Sequence, residues 1–252
     1  MNGAIRQPIR VGARVIWLAG EMILAALRFV PCMLFHSGSS GLAARASWLQ
    51  TACRRVLRIL NVKVQTYGPI PSEGLLVSIH LSYLDILVLS ALTPSIFVAK
   101  REVKNWPIFG WFARMAGTLF TDRERRIQVA PLSRDLRAVL DRGGLVVLFP
   151  EGTSSDGRTV LPFKSALLEP TTTSSYRLSA GSIAYQLEHG DVGEEVCYWK
   201  DMTLIPHLLN LMSKSRIEAL VRFSELRMRT GDRKQAARQL HAEVSKLRGY
   251  AI

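Results

Sequence analysis

"GLLVSIHLSYLDIL" (residues 74–87) begins as a short apolar run and ends as a helical pattern, with a histidine and an aspartate five positions apart between the two. Pro71 and Gly74 bound the run before it and polar residues after it, the punctuation expected of a buried strand. From Asp85 to Leu92 the pattern turns helical. On a single regular helix, five positions turn through about 500° and leave the two side chains about 140° apart. If the strand instead ends at His80 and the helix begins at Asp85, the turn between them can fold one side chain back onto the other. An aspartate accepting from the imidazole Nδ1–H would fix the tautomer and leave Nε2 as a base. A capping aspartate beside an unrelated core histidine fits the same spacing, so the pair alone does not separate the two readings.

Working outward, the same alternation of periods recurs. "VKVQTYG" alternates like a half-buried strand, "SIFVAK" (95–100) and "LVVLF" (145–149) read as buried strands, and "IEALVRF" (217–223) as a late one. Helical patterns cover Glu102 to Met115 and Leu132 to Asp141, the second stopped by Gly143-Gly144. A basic, helix-like stretch, "ASWLQTACRRVLRIL", precedes the first strand. A C-terminal helix is expected from an N-cap at Asp232, with Ala236, Leu240, Val244 and Leu247 on one face. Strands alternating with helices predict an α/β fold with a mostly covered sheet flanked by helices.

The chain has 252 residues and 48% apolar content, enough for one domain with a real core. Its 33 Lys and Arg against 20 Asp and Glu give a net charge of +13, which favours an anionic partner without choosing among nucleic acid, lipid and acidic protein. No helix-turn-helix, RNP or zinc-finger spacing appears, so charge alone would have to carry a nucleic-acid reading. Cys32, Cys53 and Cys197 form no C-x-x-C pair, so neither a metal centre nor a disulfide framework is expected, and the compartment reads as reducing.

Residues 1–40 are expected to form a membrane-associated segment ahead of a single domain at 41–252. Arg6, Arg10 and Arg14 precede an apolar zone from Val15 to Phe35, about the length that spans a bilayer. Glu21 and Arg28 interrupt that zone, and Pro31 is expected to disturb a helix through it. One imperfect transmembrane helix and a helical hairpin lying in one leaflet both fit. The N-terminal arginines favour a cytoplasmic N-terminus if the helix spans.

Two further clusters carry chemistry. "AKREVKNWPIFGWFARMAGTLFTDRERR" holds Lys100 at a strand end, Gly117, Phe120, and the crowded Arg123, Arg125 and Arg126. Guanidinium groups suit phosphate and carboxylate through paired donors. "LVVLFPEGTSSDG" ends a strand at Pro150 and places Glu151, Gly152 and Thr153 at its carboxyl end, where ligands of α/β sheets gather. No G-x-S-x-G elbow or reactive cysteine supplies an enzyme nucleophile. A histidine base would therefore act on a hydroxyl of a bound substrate.

Together and in this order the clusters resemble the PlsC-like lysophospholipid acyltransferases, the 1-acylglycerol-3-phosphate O-acyltransferase family, over roughly residues 60–225. The H-x-x-x-x-D block is His80 to Asp85, the G-x-x-F-x-x-R block is Gly117, Phe120 and Arg123, and the E-G-T block is Glu151 to Thr153. The resemblance implies a glycerolipid acyltransferase fold and an enzyme of lipid biosynthesis at the cytoplasmic face of the cell (inner) membrane. By it, His80 is the general base on the acceptor hydroxyl and Asp85 its orienting partner, while acyl-ACP or acyl-CoA supplies the acyl group. Arg123 and Lys100 would bind the acceptor's anionic head, and Glu151, Gly152 and Thr153 would shape its pocket. The partners implied are a lyso-lipid, acyl carrier protein or CoA thioester, and an anionic membrane surface, with no nucleic acid, metal or redox cofactor.

Two departures bear on the acceptor. Many phosphatidate-forming members carry an arginine directly after E-G-T, where this chain has Ser154, and Ala180 stands where the fourth block has proline. "EGTSSDGRTVLPFKSALL" and "WKDMTLIPHLLNLM" look similar to the lyso-ornithine lipid acyltransferase branch, whose acceptor carries an amino-acid head and no phosphate. Arg158 or Lys164 could still supply a charge. The expectation leans to lyso-ornithine lipid, with 1-acyl-sn-glycerol-3-phosphate the alternative and dual use compatible with both. A non-enzymatic membrane-binding protein would leave the three ordered motifs unexplained.

Overall fold

The computed structural model describes residues 7–35, 38–106, 108–121, 129–171, 176–226 and 232–249. Two long helices, α1 (Pro8–Phe35) and α2 (Gly38–Leu60), lead into β1 (Val62–Tyr67) and β2 (Gly74–Ser78). Then follow α3 (Leu84–Leu92), β3 (Ile96–Lys100), α4 (Phe109–Met115), β4 (Leu119–Thr121), α5 (Val129–Leu140) and β5 (Leu145–Leu148). The C-terminal part comprises β6 (Leu178–Leu187), α6 (Val192–Glu195), α7 (Leu204–Ser213), β7 (Ile217–Leu226) and α8 (Arg233–Gly249).

The strands form one seven-stranded sheet in the order β1-β7-β6-β2-β5-β3-β4. Every neighbouring pair is parallel except β6 with β7, so β1 and β7 run opposite to the other five. The central strands are apolar on both faces because both are covered. Leu76, Val147 and Phe97 meet Leu84, Val88 and Leu89 of α3, Leu57 and Leu60 of α2, and Leu211 of α7. Leu75, Val77, Val98 and Leu148 meet Leu132 and Leu136 of α5 and Leu240 of α8 on the other side. This is the three-layered arrangement that continuous Val/Leu/Ile strands predict.

Several elements differ from the sequence pattern. The helix expected over Glu102 to Met115 is a 3-10 turn at Arg101–Asn105 followed by α4, with Trp106 extended between them. A residue before proline is pushed out of the helical region, and Pro107 follows Trp106. Two strands, β4 and β6, join those read from periodicity. The α8 N-cap is as expected: Asp232 accepts from the Lys234 N–H at 2.8 Å, and Ala236, Leu240, Val244 and Leu247 are buried.

Helix α1 continues through Pro31, contrary to expectation. The proline stands one turn from the helix end, so only a bond near the fraying terminus is lost. Helices α1 and α2 pack as an antiparallel hairpin: Arg55 lies 3.5 Å from Glu21, Trp48 Nε1 donates to the Ala25 carbonyl at 2.8 Å, and Arg45 covers the Phe29 ring. Glu21 is buried there and also takes a 2.8 Å bond from Arg28, so the charges that interrupt the apolar zone neutralise one another inside the hairpin. At its start α1 docks onto the end of α7, where Arg10 and Arg14 donate to the Ser213, Met212 and Lys214 carbonyls. The opposite face is apolar and exposed at Ile16, Trp17, Ile23, Leu27, Met33 and Phe35.

Candidate active site

The turn after β2 brings His80 and Asp85 into contact. Asp85 lies in the first turn of α3 and its Oδ2 points back along the chain. It accepts from the backbone N–H of Leu81 at 2.6 Å and of Ser82 at 3.0 Å, and lies 2.9 Å from His80 Nδ1. It is at once the cap of the turn and the partner of the imidazole. A carboxylate can only accept from Nδ1–H, so that bond leaves Nε2 with its lone pair exposed. Asp85 Oδ1 accepts from the Tyr185 hydroxyl at 2.6 Å. Four donors thus surround a carboxylate that is 0% exposed, which is how a buried charge is held without a directly paired cation. The His80 side chain, 22% exposed, stacks on the Phe149 ring with centroids 4.2 Å apart.

The neighbouring strand β5 supplies Glu151, one turn beyond its end. Its Oε2 accepts from the His80 N–H at 2.8 Å and its Oε1 from the Leu161 N–H at 2.7 Å. Only 3% of Glu151 is exposed, and burial pushes its carboxyl up to about 7 despite these two donors. Glu151 therefore grips the backbone of the histidine while Asp85 grips its ring. Gly152 turns the chain with φ +76°, a conformation that glycine adopts without strain. The Ser155 N–H then donates to the His80 carbonyl at 3.0 Å. Further on, Arg248 of α8 ties the Gly157 carbonyl, through Nη2 at 2.7 Å, to the Ile183 carbonyl of β6, through Nη1 at 3.0 Å.

Ser154 Oγ donates to the Tyr198 carbonyl at 2.5 Å, and the Tyr198 N–H donates to the Leu81 carbonyl at 2.8 Å. The serine thus stitches the E-G-T turn to the segment before α7. His207 of α7 closes that side. Its Nε2–H donates to the Cys197 carbonyl at 3.0 Å, so its Nδ1 accepts from the Tyr83 hydroxyl at 2.9 Å. Burial lowers the His207 pKa and favours this neutral form.

The carboxyl ends of β2 and β5 therefore gather His80, Asp85, Glu151 and Gly152. Thr153 is exposed on the same turn. Lys100 ends β3, exposed and opposite Thr121 of β4, and Phe120 pairs with Ala99 on the same ladder. Gly117 has φ +78° in the turn before β4. Arg123, Arg125 and Arg126 lie outside the described residues. Arg158 points to solvent with 84% of its side chain exposed beside Asp156, and Lys164 is also exposed. Among the described residues, no group of three His, Cys, Asp or Glu could hold a metal ion.

Periodicity did not reveal Tyr185, Phe149 or Arg248 as parts of this site. One signal was present for Tyr185, a phenol next to Ile183 and Ala184 in "SIAYQL", since a buried hydroxyl needs a partner. Nothing local points across 100 residues to Asp85.

Comparison with known proteins identifies a family. A family model described as Acyltransferase matches residues 61–175. The chain is 34% identical to a lyso-ornithine lipid O-acyltransferase of Brucella abortus, over 93% of each chain. It is 33% identical to one of Rhizobium meliloti, over 79% of this chain and 73% of that protein. It is 36% identical to a 1-acyl-sn-glycerol-3-phosphate acyltransferase of Neisseria meningitidis, over 60% of this chain and 64% of that protein. Among solved structures, PlsC from Thermotoga maritima, a 1-acyl-sn-glycerophosphate acyltransferase, superposes with a TM-score of 0.65 at 16% identity, over 96% of this chain and 97% of that one.

Proposed function

The chain belongs to the acyltransferase family and is an enzyme of acyl transfer, and on that premise we propose that it moves a fatty acyl group from a thioester carrier to the free hydroxyl of a lysolipid, with lyso-ornithine lipid as the preferred acceptor. One observation carries the chemistry: the His80–Asp85 contact, which commits Nδ1 to Asp85 and leaves Nε2 as the base. His80 Nε2 takes the proton of the acceptor hydroxyl as its oxygen attacks the thioester carbonyl carbon. The tetrahedral adduct collapses, the C–S bond breaks, and the imidazolium returns the proton to the departing thiolate. An ester and a free carrier thiol result. The thioester supplies the driving force, so the step calls for no metal or redox cofactor.

Ser154 supports the choice of acceptor. It puts no guanidinium after Thr153, and its hydroxyl is engaged with Tyr198. An acceptor head without phosphate needs no such cation. The match over 93% of both chains with the Brucella abortus protein supports the same choice. The 36% identity to the Neisseria meningitidis protein favours 1-acyl-sn-glycerol-3-phosphate as a second acceptor. The donor is acyl-ACP or acyl-CoA, and a net charge of +13 suits the acidic surface of a carrier protein as well as an anionic leaflet. Membrane attachment at the cytoplasmic face, through the apolar face of α1, would bring lysolipid to the site.

The acceptor is tested by offering lyso-ornithine lipid and lysophosphatidate in parallel, with labelled acyl-ACP, to membranes containing the protein. Faster product formation from lyso-ornithine lipid is expected. Acylation of lysophosphatidate alone would overturn that assignment while keeping the reaction class.

A further inference from the structure

We propose that Tyr185 is a positioning residue for acyl transfer: its hydroxyl, donated to Asp85 Oδ1, sets how strongly Asp85 holds the His80 imidazole and thereby tunes the base. The inference rests on the reading of His80 as that base.

The length of β6 is the first support. Strand β2 pairs with β6 only from Leu75↔Leu178 to Ser78↔Gly181. Beyond that point β6 runs on beside the turn that carries His80, held on its other edge by β7 with Tyr185 opposite Ala219. The overshoot delivers the Tyr185 hydroxyl to Asp85. Arg248 holds the same stretch two residues earlier, through the Ile183 carbonyl.

The division of donors is the second support. Asp85 Oδ2 receives His80 Nδ1 and two backbone N–H groups, whereas Oδ1 receives Tyr185. The backbone donors are fixed by the turn, so Tyr185 is the side chain that draws charge away from the carboxylate. Without its hydroxyl, more negative charge rests on a buried Asp85 and the protonated imidazole is favoured. The ring would still fill the core, so a phenylalanine separates the hydroxyl's role from packing. Burial and the adjacent Asp85 hold the phenol well above its ordinary value, so it stays a donor throughout the working range. The other groups facing the pair are Glu151 behind the His80 backbone, the Cys197 thiol ahead of α7, Arg248 from α8, and Asp156 near Arg248.

The test uses full-length Tyr185→Phe in membranes, with His80→Ala and the double variant beside it. Tyr185→Phe should raise the acid limb of the kcat profile by about one pH unit, which lowers kcat about tenfold below that limb, with KM for both substrates nearly unchanged. In the His80→Ala background it should change nothing. Ring-labelled histidine spectra of the solubilised protein, with His80 assigned from His80→Ala, should show the same upward move of its titration. Incorporating 3-fluorotyrosine at 185, a stronger donor, should move it down and guards against a phenylalanine variant that fails to fold. An unmoved His80 titration in either variant, or an equal loss of rate with and without His80, would overturn the inference. Full activity in His80→Ala would instead remove the base reading, while the spectra still decide the coupling between Tyr185 and His80.

Discussion

Asp85 holds a buried charge next to a partly buried imidazole, and the chemistry depends on its accepting, never donating, toward Nδ1. Asp85→Asn can keep an amide oxygen on the ring and the two backbone N–H groups, since all three bond one oxygen, but it removes the negative charge that stabilises the imidazolium; kcat should fall on the order of 10²-fold or more with the lysolipid KM little changed. Comparable activity in a folded Asp85→Asn protein would show that the charge of Asp85 is irrelevant. Glu151 makes a prediction about stability. Burial raises its carboxyl from 4.5 to about 7, so between those values the folded chain keeps a proton that the unfolded chain has released. The contribution of Glu151 to stability is therefore fully present below about 4.5 and is lost as pH rises toward 7, by about 3 kcal/mol at most. Glu151→Gln removes that titration. In denaturant unfolding the variant should gain on wild type between about pH 5 and pH 7, and a constant difference would contradict the buried carboxyl. His80, Asp85 and Glu151 were legible because each sits where a strand pattern stops. Tyr185 and Arg248 were not, since their partners lie 100 and 91 residues away.

At the scale of elements, the turn from Gly152 to Leu161 holds the histidine from behind. Glu151 closes both its ends, Ser155 bonds the His80 carbonyl, and Arg248 fixes Gly157. Gly157 has φ +76°, and a Cβ there would lie 2.8 Å from Leu81 Cδ2 and 3.0 Å from Arg248 Nη2. Gly157→Ala should therefore lower stability by about 1–3 kcal/mol and cut activity, measured as a lower Tm and a slower acyl transfer. A variant as stable and active as wild type would show that the turn tolerates displacement. The central strands and α3 were readable because uninterrupted apolar runs between turn residues leave few alternatives. Strand β4 has three residues, too few for a period to register, and "LSAGSIAYQL" hides β6 behind Ser and Gly that suit a strand only when neighbours approach closely. The split of the Glu102–Met115 helix was written in Trp106-Pro107, but helical periodicity on either side masked it.

For the molecule as a whole, the sheet carries the site and the hairpin carries an exposed apolar face. The α1–α2 hairpin buries Glu21 against Arg28 and Arg55 and turns the apolar side of α1 outward. Carbonate washing of membranes should leave the protein in the pellet, and replacing Trp17, Ile23 and Leu27 by glutamate should release it; a wild-type chain found in the supernatant would contradict membrane attachment. The central claim, that His80 works as a base passing an acyl group from a thioester to a lysolipid hydroxyl, is tested most directly by comparing wild type with His80→Ala in membranes. The measurement follows carrier thiol released and diacylated product formed in one assay. Wild type should release one thiol per ester made, and a folded His80→Ala protein should lose at least about 10²-fold in both. Full activity in that variant would contradict the account.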